Sequence, residues 1–241
     1  MSTVPGTEPQ KVAIISGASR GIGAALVTAY RGLGYAVTAT ARSIAASNDP
    51  CVLSVPGNVA EPGAAARVVS ATVARFGRVN TLINNAGIFI GKPFTDYTDD
   101  DYDAMVGVNV RGFFEFCRSA IPAMLEQNGG HIVNISTSLV DHANSGRPSA
   151  LASLTKGGLN AATRSLAIEY AARGIRVNTV SLGVIRTWGR PADSDDGLAA
   201  LHPLGRIGEI DDVVNAIVYL ETASFVTGEI LHVDGGQSAG H

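Results

Sequence analysis

The run Val12-Ala13-Ile14-Ile15-Ser16 leads directly into Gly17-Ala18-Ser19-Arg20-Gly21-Ile22-Gly23, and helical spacing follows from Gly21 to Leu33. An apolar run with no alternation reads as a parallel strand covered on both faces. A parallel strand needs a crossover to return the chain, and a helix is the usual means. Three glycines at the junction permit a tight turn, close approach of a ligand to backbone N–H groups, and intimate helix-to-strand packing. The free N–H groups of the helix N-terminus attract phosphate at the same place. Strand, glycine turn and helix together therefore predict a dinucleotide pyrophosphate site.

The alternation continues. Further strands are legible at Ala36 to Ala41, Val52 to Val55, Thr81 to Asn84, His131 to Ile135, Arg176 to Ser181 and Ile230 to Val233. Helical stretches lie between them near Gly63 to Phe76, Asp101 to Glu126, Ser149 to Ala172 and Asp211 to Leu220. Strands alternating with helices predict an α/β fold: one Rossmann-type, doubly wound, parallel seven-stranded sheet with helices on both faces. With 241 residues, 46% of them hydrophobic, 16% charged and 28 of them glycine, the chain suits a single domain with doubly covered strands and many tight turns. Residues 1–10 read as a short disordered leader and 11–241 as the domain. The segment Thr187 to Gly208, rich in Gly, Pro and Asp, is too long for an ordinary connection and reads as a functional loop or lid.

Several classes are disfavoured. The formal charge is −3 and no basic stripe is present, so a nucleic-acid partner is not expected. No apolar run is long enough to span a bilayer, so no membrane partner is expected either. Cys51 and Cys117 form neither a disulfide framework nor a metal motif, which fits a reducing cytoplasm. The acidic run Asp99, Asp100, Asp101 and Asp103 suits the first turn of a helix better than a metal site. A small-molecule substrate is expected.

The spacing Gly-x-x-x-Gly-x-Gly resembles that of the short-chain dehydrogenase/reductase family. Asn84-Asn85-Ala86-Gly87, the pair Val108-Asn109, Lys156 and the closing His232-Val233-Asp234-Gly235-Gly236 are similar to that family as well. The resemblance runs from residue 11 to 236. It implies that Asn85, Ala86 and Gly87 line the adenosine side of the cofactor, with Gly17, Ser19, Gly21, Ile22 and Gly23 around its pyrophosphate. Charge bears on which cofactor. The second strand ends Thr40-Ala41-Arg42-Ser43 with no acid at its tip, whereas a ribose without a 2′-phosphate is usually held by a carboxylate there. Arg42 can pair with a 2′-phosphate, and Arg20 resembles the second basic residue of members that prefer NADP, so NADP(H) is the expected cofactor. Asn58-Val59 resembles the family's adenine contact with its acid neutralised.

In this family a tyrosine protonates the developing alkoxide, a lysine four residues later tunes it and holds the ribose, a serine steadies the substrate oxygen, and an asparagine supports a water. The resemblance makes the lysine Lys156 and the asparagine Asn109. Ala152 stands where the tyrosine belongs, and alanine has no proton to give. The serine position falls on Thr137 or Ser138. Leu182 replaces the proline of the family's turn, while Gly183, Val184, Ile185 and Thr187 match the segment beside the nicotinamide. Candidate substitutes for the proton donor are His142 and Lys156, the latter through a water. A cationic iminium substrate would need none. Trp188 opens the irregular loop and is a candidate cover for the substrate. Small residues such as Gly157, Gly158, Ala161 and Ala162 on the long helices suggest a homo-oligomer, and the resemblance implies a dimer or tetramer. Two functions follow: an NADPH-dependent oxidoreductase acting on a small carbonyl or imine, or a non-catalytic NADP-binding sensor or oligomerisation partner.

Overall fold

The computed structural model describes residues 10–187 and 196–240. The leader, apart from Gln10, and Trp188 therefore lie outside the described residues. Seven strands, β1 (Val12–Ser16), β2 (Ala36–Ala41), β3 (Val52–Pro56), β4 (Thr81–Asn84), β5 (Gly130–Thr137), β6 (Ile175–Leu182) and β7 (Ile230–Val233), form one sheet in the order 3-2-1-4-5-6-7. Every pairing is parallel. The order reverses direction between β1 and β4, which opens a crevice outside their carboxyl ends.

The helices are α1 (Gly21–Gly32), α2 (Ala64–Phe76), α3 (Asp99–Met105), α4 (Gly112–Glu126), α5 (Ala150–Tyr170), α6 (Asp196–Ala199) and α7 (Ile210–Thr222). Ala13 and Ile15 of β1 face one layer, packed with Leu26 and Tyr30 of α1 and Val213 and Ile217 of α7. Ile14 faces the other layer, with Val68 of α2, Phe116 and Met124 of α4 and Ala167 of α5. Both faces of β1 are thus core, which is why its sequence is apolar without alternation. Each fully buried Leu, Ile or Phe in these layers contributes roughly 1.5–3 kcal/mol of burial. No helix among the described residues is long and apolar enough to cross a membrane.

One expected element is broken. The helix anticipated from Asp101 to Glu126 is instead α3, a π-helical segment at Val106–Arg111, and α4. The acidic run opens α3, as its charge pattern predicts: Thr98 accepts from Asp101 N at 3.2 Å, and the Asp101 carboxylate accepts from Thr98 N at 2.9 Å. The Lys92 ammonium 2.6 Å from Asp101 is the first cause that holds that carboxyl down at about 2.

Candidate active site

The ends of β1 and β4 are locked together by side-chain hydrogen bonds. Ser16 Oγ accepts from Asn85 N (3.1 Å) and Ala86 N (3.0 Å), while Asn85 Nδ2 donates to Ser16 O (2.8 Å) and Gly17 O (3.2 Å). The resulting turn has no room for side chains. A Cβ on Gly17 would stand 2.9 Å from Ala86 Cα, and one on Gly23 only 2.2 Å from Gly17 O. Gly17 also has φ +66°, where a Cβ is unfavourable. What remains is bare backbone at the N-terminus of α1, a cradle of the kind a pyrophosphate needs.

The neighbouring strand ends complete the rim. Ala18 N donates to Thr40 O at 3.1 Å, which sets the glycine turn beside the tip of β2. Ser19, Arg20, Arg42 and Ser43 are exposed around this junction. Arg20 is the residue that caps α1. Asn58 Oδ1 accepts from Ala60 N at 3.2 Å, so its amide oxygen shapes its own turn while Nδ2 keeps its donors. Val59 is a core residue, packed with Ile14 and Phe116. Thr187 overlies the cradle: a Cβ on Gly21 would lie 3.9 Å from its Cγ2. Ile22, Asn85, Gly87, Gly183 and Val184 line a cavity of about 320 Å³ that opens from this rim.

The same cavity is walled by Ile88, Phe89, Leu139, Ile185 and Leu201, with Thr137, Ser138, Ala152, Lys156 and Gln237 also lining it. Lys156 is buried, and its Nζ donates to Ile135 O at 2.7 Å. Burial pulls its pKa down to about 8. Asn109 sits within the π segment, a distortion common at functional sites. Its amide clasps the loop after β4, accepting from Ile88 N (3.0 Å) and donating to Ile88 O (3.0 Å) and Thr155 Oγ1 (3.2 Å). That clasp holds Gly87 against the lysine: a Cβ there would be 2.9 Å from Lys156 Nζ.

The two hydroxyls are told apart by the geometry. Ser138 is buried and its Oγ donates to Gln237 Oε1 at 2.9 Å. Thr137 instead accepts from Leu139 N at 3.4 Å, capping the short turn that follows β5. Ala152 is buried in a small cluster with Met105 and Leu151. His142 has its backbone N on Ser138 O at 2.8 Å, but its side chain is not part of the described cavity wall.

Two contributors carry no signal in the local sequence. His202 Nε2 accepts from Val184 N (3.0 Å) and its Nδ1–H donates to Leu198 O (2.9 Å), so a neutral imidazole ties the turn after β6 to the segment near α6. This clasp braces the turn at Leu182-Gly183, where no proline stiffens it. Gln237 arrives from the C-terminal end of the chain. The cavity groups they reach, Val184 for His202 and Ser138 for Gln237, lie 18 and 99 positions away, so no spacing rule could have found them.

A family model described as Enoyl-(Acyl carrier protein) reductase matches residues 17–238. The chain belongs to the short-chain dehydrogenase/reductase family. It is 35% identical over 237 residues to 3-oxoacyl-(acyl-carrier-protein) reductase FabG of Salmonella typhimurium, covering 94% of this chain and 96% of that one. The solved structure of ElxO with NADP bound superimposes with a TM-score of 0.89 at 27% identity, covering 96% of this chain and all (100%) of the other. A 3-ketoacyl-(acyl-carrier-protein) reductase from Brucella melitensis complexed with NADH is also similar, with a TM-score of 0.86 at 30% identity over 95% and 98% of the two chains.

Proposed function

We propose that the protein is an NADPH-dependent oxidoreductase that reduces a small carbonyl or imine compound without a tyrosine as proton donor. The observation that carries this reading is the bare glycine cradle opening onto a cavity whose wall holds Lys156. Gly17, Ser19, Gly21, Ile22 and Gly23 would hold the pyrophosphate, with Asn58, Val59, Asn85, Ala86 and Gly87 toward the adenosine and Gly183, Val184 and Thr187 toward the nicotinamide. Arg20, Arg42 and Ser43 would hold the 2′-phosphate. Neither guanidinium has an ion pair among the described residues, so both can serve a phosphate. NADP bound to ElxO supports this choice, and NADH in the Brucella reductase marks the competing one. When bound, the cofactor supplies the hydride.

The protein's own work is to orient the acceptor and deliver a proton. Among the described residues of the cavity wall, Arg147 and Lys156 are the groups with ionisable nitrogen, and arginine does not give up its proton. Lys156 Nζ, with its pKa brought down to about 8, is suited to protonate the developing alkoxide near neutral pH. Asn109 acts through the loop it clasps rather than on substrate. Thr137 and Ser138 border the acceptor's oxygen. Association through α4 and α5 belongs to the same reading, supported by the exposed Phe114, Leu154 and Ile168.

Loss of NADPH absorbance with ketones, 3-oxoacyl thioesters and cyclic imines tests the proposal. Turnover with any class supports it. Tight NADPH binding with silence across the panel would favour the second reading, a non-catalytic NADP-binding protein, for which Ala152 is the specific observation. In that case Ala152→Tyr, whose ring has the cavity to enter, should gain reductase activity.

A further inference from the structure

The Ser138 hydroxyl proton is committed to Gln237, which leaves Ser138 with acceptor capacity alone toward the cavity. A carbonyl oxygen needs a donor. The amide on the other side of that bond has one: Gln237 Oε1 takes the serine proton, and Nε2 bonds to none of the described residues. The residue is only 3% exposed and it lines the cavity, so the donor is presented there and nowhere else.

The turn that presents it is rigid. Asp234 accepts from Gly236 N (3.0 Å) and Ser238 N (2.8 Å) through its carboxylate, and from Gln237 N (3.2 Å) through its carbonyl. Leu204 N donates to Gly235 O at 3.1 Å, which anchors the same turn to the segment beyond α6. Gln237 Nε2 is not sealed in the core but borders the cavity with hydrogen-bonding capacity to spare, which a polar ligand atom can take up.

We propose that Gln237 is a substrate-binding residue whose Nε2–H holds the carbonyl oxygen of the acceptor, with Ser138 fixing the amide's orientation. The inference rests on the oxidoreductase reading above and narrows it. An amide binds an oxygen lone pair without ionising, so Gln237 positions the oxygen while protonation falls to another group. An iminium nitrogen has no lone pair to offer. The site therefore selects ketone-type carbonyls over iminium compounds.

The decisive comparison uses the full chain and Gln237→Leu and Gln237→Glu, with acetoacetyl-N-acetylcysteamine as the keto probe and N-methyl-1-pyrrolinium, a permanent cation, as the iminium probe. Calorimetric binding of the keto thioester to the protein–NADP⁺ complex is measured beside turnover of both probes. Gln237→Leu should weaken keto thioester binding and lower its kcat/KM about tenfold, the scale of one hydrogen bond, while NADPH affinity and any N-methyl-1-pyrrolinium turnover stay within about twofold. Gln237→Glu keeps an acceptor for Ser138 and covers the event that the leucine variant misfolds. Its keto thioester binding should be weak at neutral pH and recover as the new carboxyl is protonated in acid, a response that a purely structural role would not produce. Unchanged keto thioester binding in both variants, equal losses on both probes, or no keto thioester binding by the parent would overturn the proposal. Binding that depends on Gln237 without any turnover would support it and count against the oxidoreductase reading instead.

Discussion

The two ends of the sheet handle polar groups in opposite ways. At the amino ends of the strands, the Glu221 carboxylate accepts from Tyr30 (2.9 Å), Tyr35 (2.8 Å), Thr81 (3.1 Å) and His131 (2.9 Å). Asn178 Nδ2 donates to His131 Nε2 at 3.2 Å, so the imidazole is neutral with its proton on the glutamate side. Arg176 donates to the carbonyls of Leu220, Glu221 and Val226, closing the C-terminal end of α7. Each of these donor side chains has an acceptor within the protein. At the carboxyl ends, by contrast, the glycine cradle, Lys156 and Gln237 keep unspent donors. The two buried side-chain atoms without a partner among the described residues, Asn160 Oδ1 and Ser181 Oγ, lie four residues past Lys156 and two before Gly183. One end is finished by folding; the other, on the function proposed above, is finished by ligands.

Substitutions at the two ends should separate accordingly. The largest effect is expected from Glu221→Ala, which leaves four buried donors and Arg176 without their anion. It should cost about 3–5 kcal/mol in denaturant unfolding while NADPH affinity of the folded fraction is kept. Lys156→Met should do the reverse. Turnover should fall at least about 100-fold, whereas the thermal midpoint should hold or rise because a desolvated ammonium is replaced by an apolar chain of similar shape.

The pH dependence of stability sharpens the same contrast. Burial pushes the Glu221 carboxyl up, but the hydrogen bonds from His131, Tyr35 and Tyr30 more than offset it and hold the group well below the usual carboxylate range. Its contribution is present above the unfolded value of 4.5 and is lost as pH falls below it. Lys156 has a depressed pKa, so the unfolded chain binds its proton more tightly, and stability should rise between about 8 and 10.5. Unfolding free energies across pH should show an acid slope that Glu221→Gln removes and an alkaline slope that Lys156→Met removes. A slope unaltered by its own substitution would contradict the assignment.

Much of this was legible in the amino-acid order, for a physical reason. Ile14 and Ile15 are buried on opposite faces, and a strand covered on both sides writes itself as an unbroken apolar run. The glycine turn is equally plain, because its constraints act between near neighbours. The Glu221 cluster was not legible: its carboxylate meets His131 across 90 positions. Gln237 and Ser138, 99 positions apart, pair only once β5 and the C-terminal turn share a wall. The π segment was not legible because nothing local in Met105 to Gly112 marks it, and the clasp it carries joins Asn109 to Ile88, 21 positions away.

A smaller effect tests the rim of the site. Arg42→Ala should weaken NADPH about tenfold and leave NADH unchanged, as loss of one charge-assisted contact requires. The most direct measurement of the account is titration calorimetry of the folded protein with NADPH and then NADH. The prediction is one NADPH site per chain that binds more tightly than NADH, with the difference abolished when Arg20 and Arg42 are both alanine. Folded protein that takes up neither dinucleotide would contradict it.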